Sequence, residues 1–244
     1  MILLSGGTTE GKEVAGWLDS AGMPYIYSTR SRINFKGSGG YRYGPLDAAG
    51  FEAFCRHHQI NSVINASHPF AEELHRGVAS LAPEIRLIRF ERAFPERVNH
   101  PLVFYVAGYP EALHLLHVKD ISSLLVLSGV QSIPKLEQFW KNKRTWFRIL
   151  DRQESREFAR LHGFPAENLL AGYPLDEEEE TALLRKLGAQ AILTKESGFN
   201  GKLPEKIAAA ISCRIPIFII KKPKLPEAYQ VVRSKTELFK ILNS

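Results

Sequence analysis

Met1-Ile2-Leu3-Leu4-Ser5-Gly6-Gly7-Thr8-Thr9-Glu10-Gly11 opens the chain. Ile2 to Leu4 read as a short apolar strand, Gly6-Gly7 as a turn, and Thr9-Glu10 as the start of a helix. A strand that runs through glycines into a helix gathers backbone N–H groups beside the positive end of the helix dipole. That is an anion site, and a nucleotide pyrophosphate is its usual occupant. The spacing departs from the full G-x-G-x-x-G because Thr8 stands where the middle glycine would be. A plain helix-capped turn fits the same residues, so the rest of the chain has to decide.

Outward from this turn, Val14, Trp17 and Leu18 recur at helical spacing, and Gly22 and Pro24 stop the helix. Pro24 to Thr29 is a second strand, and it ends in Thr29-Arg30-Ser31-Arg32. In a Rossmann unit this strand end lies near the adenine ribose, where an NAD enzyme places Asp or Glu on the 2′-OH. Here two arginines flank Ser31, and guanidinium groups match a phosphate through paired donors. The pattern favours NADPH, with NADH as the alternative. Arginines on an exposed loop are the competing reading.

Ile33 to Gly44, rich in Gly, Tyr and basic residues, reads as a short hairpin or a flap. Asp47 then caps a helix through His58. Ser62 to Ala66 is a buried parallel strand that empties into Ser67-His68-Pro69-Phe70, with Pro69 placed to open a helix. Ligands gather at such carboxyl ends in doubly wound sheets. His68 is there a candidate to donate a proton or bind a ligand, against the alternative of a buried structural histidine. Ile85 to Phe90 is the next strand, followed by Glu91-Arg92, which either holds a ligand or pairs internally. Leu102 to Val106 and a helix through Leu116 complete a first layer.

A second layer begins after Ile121. Leu124 to Leu127 ends in Ser128-Gly129, a helix covers 133–140, and Thr145 to Leu150 forms a strand carrying Arg148. Asn168 to Pro174 is a strand with its exit turn, and the acidic run 176–180 heads a helix at its positive end. Gln190 to Thr194 runs into Lys195-Glu196-Ser197-Gly198, a helix spans 202–211, and Ile215 to Ile220 is the last strong strand. The two halves share a βα rhythm without a sequence repeat. The expected fold is α/β: two doubly wound Rossmann-like parallel-sheet domains, 1–118 and 119–244, facing a cleft.

Composition bounds the function. The chain has 244 residues, 44% of them hydrophobic, which is ample for two compact cores. No window approaches a membrane span, and Met1 leads straight into a strand, so the expected compartment is the cytoplasm. Two cysteines, Cys55 and Cys213, imply neither a disulfide framework nor a metal site. The net charge of +6 suits a polyanionic partner. No basic run interleaved with aromatics points to nucleic acid.

Four stretches together resemble the precorrin-6A reductase family of cobalamin biosynthesis. They are Gly6-Gly7-Thr8-Thr9-Glu10, Ile64-Asn65-Ala66-Ser67-His68-Pro69-Phe70-Ala71, the Glu91-Arg92 pair, and Leu193-Thr194-Lys195-Glu196-Ser197-Gly198. Their order and separation match as well, over essentially the whole chain. Ser128-Gly129 replaces the family's usual Thr-Gly. Near Gly172-Tyr173-Pro174-Leu175 the family's Gly-Pro-Phe-Ser is absent, so no ligand contact is carried over to that loop.

The resemblance implies an oxidoreductase that reduces a double bond in the precorrin-6A, or cobalt-precorrin-6A, macrocycle, with a hydride from NAD(P)H and a proton. The macrocycle's many carboxylates fit a basic protein. The pyrophosphate is assigned to Gly6, Gly7, Thr8, Thr9 and Glu10, and a 2′-phosphate to Arg30 and Ser31. Substrate contacts are expected from Ser67, Pro69, Phe70, Glu91, Arg92, Ser128, Glu196, Ser197 and Gly198. His68 and Lys195 are the candidate proton donors. No metal, membrane or nucleic-acid partner is expected, and the chain is expected to be a monomer or weak homo-oligomer. A two-domain nucleotide-sugar-dependent transferase and a non-catalytic NADPH-binding module remain the rival readings.

Overall fold

The computed structural model describes residues 1–244. In chain order it runs β1 (Ile2–Ser5), α1 (Thr9–Ser20), β2 (Tyr25–Thr29), β3 (Gly40–Tyr43), α2 (Ala48–His57), β4 (Ser62–Asn65), α3 (Glu72–Ala79) and β5 (Arg86–Phe90). Then come β6 (Val103–Val106), α4 (Tyr109–Val118), β7 (Ser123–Val126), α5 (Glu137–Trp140), β8 (Arg144–Ile149), α6 (Gln153–Leu161), β9 (Leu169–Ala171) and α7 (Glu177–Leu187). The chain ends with β10 (Ala191–Lys195), α8 (Leu203–Ser212), β11 (Ile217–Ile220), β12 (Gln230–Val232) and α9 (Lys235–Leu242).

These elements form two six-stranded sheets, ordered β12-β5-β4-β1-β2-β3 and β6-β11-β10-β7-β8-β9. Every strand pair is parallel. The chain divides into one compact unit of residues 1–93 with 223–244 and a second of residues 94–222. The expected α/β class of two parallel-sheet domains is therefore what the chain adopts. The expected division at residue 118 is not. β6 pairs with β11 in the second sheet, and β12 returns to pair with β5 in the first. Val232 and Leu238 then join the core of the first unit.

In the first unit both faces of the sheet are covered. Leu4, Tyr27, Ile64 and Ile88 pack with Val14 and Leu18 of α1 and Leu238 of α9. The alternate residues Leu3, Val63 and Leu87 pack with Phe51, Cys55 and Val78 from α2 and α3. Strands buried on both faces read as continuous apolar runs, which is why they are visible in the sequence. α1 starts at a Thr8 cap, whose hydroxyl accepts from the Gly11 N–H. In the second unit α7 starts at a capping box of Asp176 and Glu179 and stops at Gly188 in the left-handed region. The acidic run at 176–180 thus serves the helix end.

Three local expectations are corrected. Residues 40–43 form a parallel edge strand beside β2, not a hairpin or flap, because Ile26 to Thr29 still had an open ladder edge to fill. Pro69 lies in a turn and α3 begins only at Glu72, with Ala71 at its cap position. The helix expected over 133–140 is two 3₁₀ turns, 130–132 and 134–136, followed by the four-residue α5.

Candidate functional site at the first switch point

In the first sheet the chain steps from β1 to β2 and β3 on one side, then crosses to β4 and β5 on the other. The exit turns of β1 and β4 are therefore neighbours at the point where strand order reverses, the usual ligand crevice of an open α/β sheet. The Gly-rich turn and the His68 turn, sixty residues apart in sequence, meet there. Thr8 Oγ1 donates to the Ala66 carbonyl at 2.6 Å and ties one turn to the other.

The Gly-rich turn is tight enough that side chains are excluded. A Cβ on Gly6 would strike the Tyr27 ring, and one on Gly11 would lie 2.8 Å from the Gly6 Cα. Gly7 has φ +89°, a left-handed conformation that favours glycine. Gly6 and Gly11 thus provide the close approach of strand, turn and helix that a dinucleotide turn requires, although the middle glycine is missing. The Gly7 N–H donates to the Tyr27 hydroxyl at 2.9 Å. Thr8 Oγ1 is engaged by both the Gly11 N–H and the Ala66 carbonyl. Thr9 is exposed at the first position of α1. Glu10 is buried, and its carboxylate pairs with Arg92 at 2.7 Å.

The β4 exit is held from below. Asn65 and Arg89 sit side by side in register on β4 and β5. Arg89 is 2% exposed, yet its guanidinium meets no carboxylate at bonding distance among its contacts in this turn. Nη1 instead donates to the Asn65 carbonyl (3.1 Å), Asn65 Oδ1 (3.0 Å) and the Ser67 carbonyl (3.0 Å). Asn65 Oδ1 also accepts from the Ser67 hydroxyl at 2.7 Å, and Asn65 Nδ2 donates to the Tyr229 hydroxyl at 2.9 Å. His75 Nε2 stands 3.2 Å from the His68 carbonyl and 3.4 Å from Ser67 Oγ. Burial, and then the charge of Arg89, push the His75 ring down to about 4, so it is neutral at physiological pH.

On top of this lattice His68 is exposed, Phe70 is half-buried and Pro69 is buried. His68 Nδ1 accepts from the Phe70 N–H at 3.2 Å. In the neutral ring the remaining proton therefore sits on Nε2. Ser67, expected to face a ligand, is 6% exposed and bonded within the lattice. Its part in the site is support.

At the β2 exit Arg30, Ser31 and Arg32 are all exposed, as a phosphate contact needs. The Thr29 hydroxyl donates to the Ser31 carbonyl at 2.8 Å and fixes that loop. The Arg32 guanidinium lies 5.7 Å above the Tyr43 ring. Glu91 and Arg92 do not pair with each other. Arg92 takes Glu10, and the Arg233 guanidinium lies 4.0 Å from Glu91.

The second sheet has the same switch, between β7 and β10. Ser128 is buried at the β7 exit and donates to Ser132 Oγ at 2.8 Å, while Gly129 takes φ +85°. Lys195 closes β10 in register with Ile220. Glu196 is not a free carboxylate. Arg97 grips it with two bonds of 2.8 and 3.1 Å, and the Lys222 N–H adds a third at 2.9 Å. Burial alone would raise its pKa, but Arg97 and the Lys222 amide outweigh that and hold it below the usual range. Ser197 Oγ is buried against Gly201, and Gly198 turns the chain in the left-handed region.

Sequence reading found both turns of the first switch point but missed what supports them. Asn65, Arg89, His75, Tyr27 and Tyr229 were not singled out. One signal was available. Asn65 and Arg89 share the strand parity of Val63 and Leu87, so each is a polar residue on an inward face.

Comparison with known proteins identifies the family and the fold. The family profile described as Precorrin-6x reductase CbiJ/CobK matches residues 1–243. The chain is 26% identical over 233 residues to Cobalt-precorrin-6A reductase of Methanocaldococcus jannaschii, covering 92% of this chain and 91% of that one. It is 29% identical over 245 residues to Precorrin-6A reductase of Rhodococcus erythropolis, covering 95% and 92%. The solved structure of CobK precorrin-6A reductase has the same fold, with a TM-score of 0.79 over 99% of this chain and 96% of that one at 22% identity. No helix is long and apolar enough to cross a membrane. With the profile spanning all but the last residue, the chain belongs to the Precorrin-6x reductase CbiJ/CobK family, oxidoreductases of cobalamin biosynthesis.

Proposed function

We propose that the protein reduces one double bond of precorrin-6A, or of its cobalt form, to the precorrin-6B level. NADPH, when bound, supplies a hydride to one carbon and leaves as NADP⁺, and the neighbouring carbon takes up a proton. The observation that carries this reading is the Thr8–Ala66 bond at the switch point, which sets the Gly-rich turn beside the His68 turn. The exclusion of side chains at Gly6 and Gly11 supports the fit of a dinucleotide there.

In this reading the Gly6–Thr9 backbone and the helix end bind the pyrophosphate, and Thr8 acts as cap and tie. Arg30, with Ser31, takes the 2′-phosphate, and its always-charged fork gives NADPH the preference over NADH. Glu10 positions Arg92. His68 Nε2 delivers the proton, with Lys195 as the second candidate. Pro69, Phe70, Glu91 and Arg92 are proposed substrate contacts at the first switch point, and Ser128, Ser197 and Gly198 are proposed contacts at the second. Glu196 orients Arg97. The positive net charge draws in a substrate rich in carboxylates. The protein works in the cytoplasm as a monomer or weak homo-oligomer.

The test is NADPH or NADH consumption with metal-free and cobalt-containing precorrin-6A, each followed by absorbance. NADPH consumption exceeding NADH consumption is expected, and Arg30→Ala should narrow the gap by roughly tenfold, the loss of one phosphate contact. If neither cofactor is consumed with either macrocycle, the reductase reading fails. His68→Ala with unchanged turnover removes His68 from the proton step.

A further inference from the structure

Four successive carbonyls leave β4, and three side chains from different elements hold them. Arg89 on β5 takes those of Asn65 and Ser67. Between them, Thr8 of the Gly-rich turn takes that of Ala66. The fourth, of His68, faces His75 Nε2 on α3. The same turn uses its amides internally: Ser67 N–H to Asn65 Oδ1, Phe70 N–H to His68 Nδ1 and Ala71 N–H to the His68 carbonyl. A loop of six residues at a sheet edge does not need this many fixed points in order to fold.

The central element is expensive. A guanidinium 2% exposed, with Nε buried and unbonded, sits where its neighbours in register are Asn65 and the main chain. Burial disfavours the Arg89 charge more than the carboxylates of Glu91 and Glu10 favour it, and its hydrogen bonds go to neutral acceptors, a cost that a leucine would not carry. What the arginine provides is reach and direction: Nη1, held in the guanidinium plane at the end of a long side chain, donates to carbonyls two residues apart and to the Asn65 side-chain oxygen. An ammonium sits on a shorter stem and lacks the rigid plane that directs Nη1 at these acceptors.

We propose that Arg89 is the positioning residue of the site: it fixes the β4 exit turn so that His68 is presented at a constant distance from the Gly-rich turn. This rests on the reading of that turn as part of the reductase site. His75 completes the clamp, its Nε2–H tautomer donating to the His68 carbonyl. Thr8 makes the Gly-rich turn one of the clamp's own anchors.

The first test is amide hydrogen exchange on the native protein, without NADPH or tetrapyrrole. The amides of Ser67, Phe70 and Ala71 should be protected like those of β4, not like those of an exposed loop. Exchange at loop rates overturns the proposal. The second is Arg89→Lys, which keeps the charge and loses the planar group that places Nη1. In folded Arg89→Lys, exchange in 66–71 should rise at least about tenfold. The kcat should fall roughly 10²-fold while the KM for NADPH stays within about threefold, since a misplacement near 1 Å costs about that much. Added guanidinium should partly restore kcat in Arg89→Ala. Unchanged exchange or unchanged kcat in folded Arg89→Lys overturns the proposal, and so does an equal loss in kcat and NADPH binding. If Arg89→Lys does not fold, the exchange pattern of the native protein decides. Should the native enzyme consume no NADPH with either macrocycle, the reductase reading falls, and the exchange data still judge the clamp.

Discussion

The two switch points share a topology and differ in how they hold charge. In the first, Arg92 takes Glu10 at 2.7 Å, but the most buried cation, Arg89, bonds to carbonyls and an amide, and its neighbour His75 is neutral. In the second, each buried or half-buried arginine faces a carboxylate: Arg97 on Glu196, and Arg148 on Glu180 at 2.8 Å. Lys206 lies buried beside that last pair. A cation matched by a carboxylate stabilises its own surroundings. A cation bonded to main-chain carbonyls and a side-chain amide fixes a backbone path. The first arrangement suits a turn that must meet an anionic ligand, and the second suits a frame.

The contrast can be broken at several points. The largest effect is expected from Gly6→Val, whose side chain must displace Tyr27 and open the Gly-rich turn. NADPH binding, followed by fluorescence titration, should weaken by 10²-fold or more, because both the turn and the Thr8 tie move. Binding within threefold of the parent would show that the nucleotide lies elsewhere. In the second unit Arg148→Met strands the Glu180 carboxylate, which is fully buried, and should cost about 3 kcal/mol in chemical denaturation. The double variant Arg148→Met/Glu180→Leu should recover most of that. A single variant as stable as the parent would mean that the pair is not what holds α7 on β8.

Two pH slopes come next and run in different windows. The His75 ring is down at about 4 in the folded chain, against 6.5 unfolded, so between these values the unfolded state binds more protons. Its contribution is complete above pH 6.5 and is lost as pH falls towards 4, on the order of 1–3 kcal/mol. His75→Gln should flatten that acid limb. Burial, with Arg148 adding to it, pushes Lys206 down to about 8 from 10.5. Here too the unfolded state binds more protons between the two values, so stability should rise from pH 8 to 10.5. Lys206→Met should abolish that rise. If the variant keeps the parent's alkaline slope, Lys206 is charged in the folded protein. The smallest effect belongs to Arg97→Ala. Half of that side chain is in solvent and the Lys222 amide still holds Glu196, so the loss should be about 1 kcal/mol in thermal unfolding.

How far these regions could be read without the structure depended on locality. Strands buried on both faces are apolar runs, and glycine turns and helix caps are short, so β1, β4, β10 and the Asp176 cap were visible as written. Partner choice was not. Leu102 to Val106 is as good a strand for one sheet as for the other, and its assignment to the second depends on β11, more than a hundred residues later. β3 has no apolar alternation of its own and exists because β2 offers it an edge. In the site, His68 was legible through its turn. The lattice beneath it was not, because Arg89, His75 and Tyr229 come together only when β5, α3 and the return segment have packed. Glu196 shows the same limit from the other side. A strand-end carboxylate reads as a ligand contact until Arg97, a hundred residues away, is seen to occupy it.

The return of residues 223–244 to the first unit has a consequence for how the protein is made. Domains fold as units while the chain emerges from the ribosome. Residues 94–222 are all in hand before β12 appears, so the second unit can close while the first still lacks one edge strand and the helix that covers its core. Until then β5 presents an open edge, with Ile88 unshielded by α9, and Tyr229 is not yet there to fasten Asn65 to α3. The site is consequently assembled last. A chain cut at residue 222 lacks β12 and α9, so the β5 edge and the face of the first sheet that holds Ile88 are left without their cover.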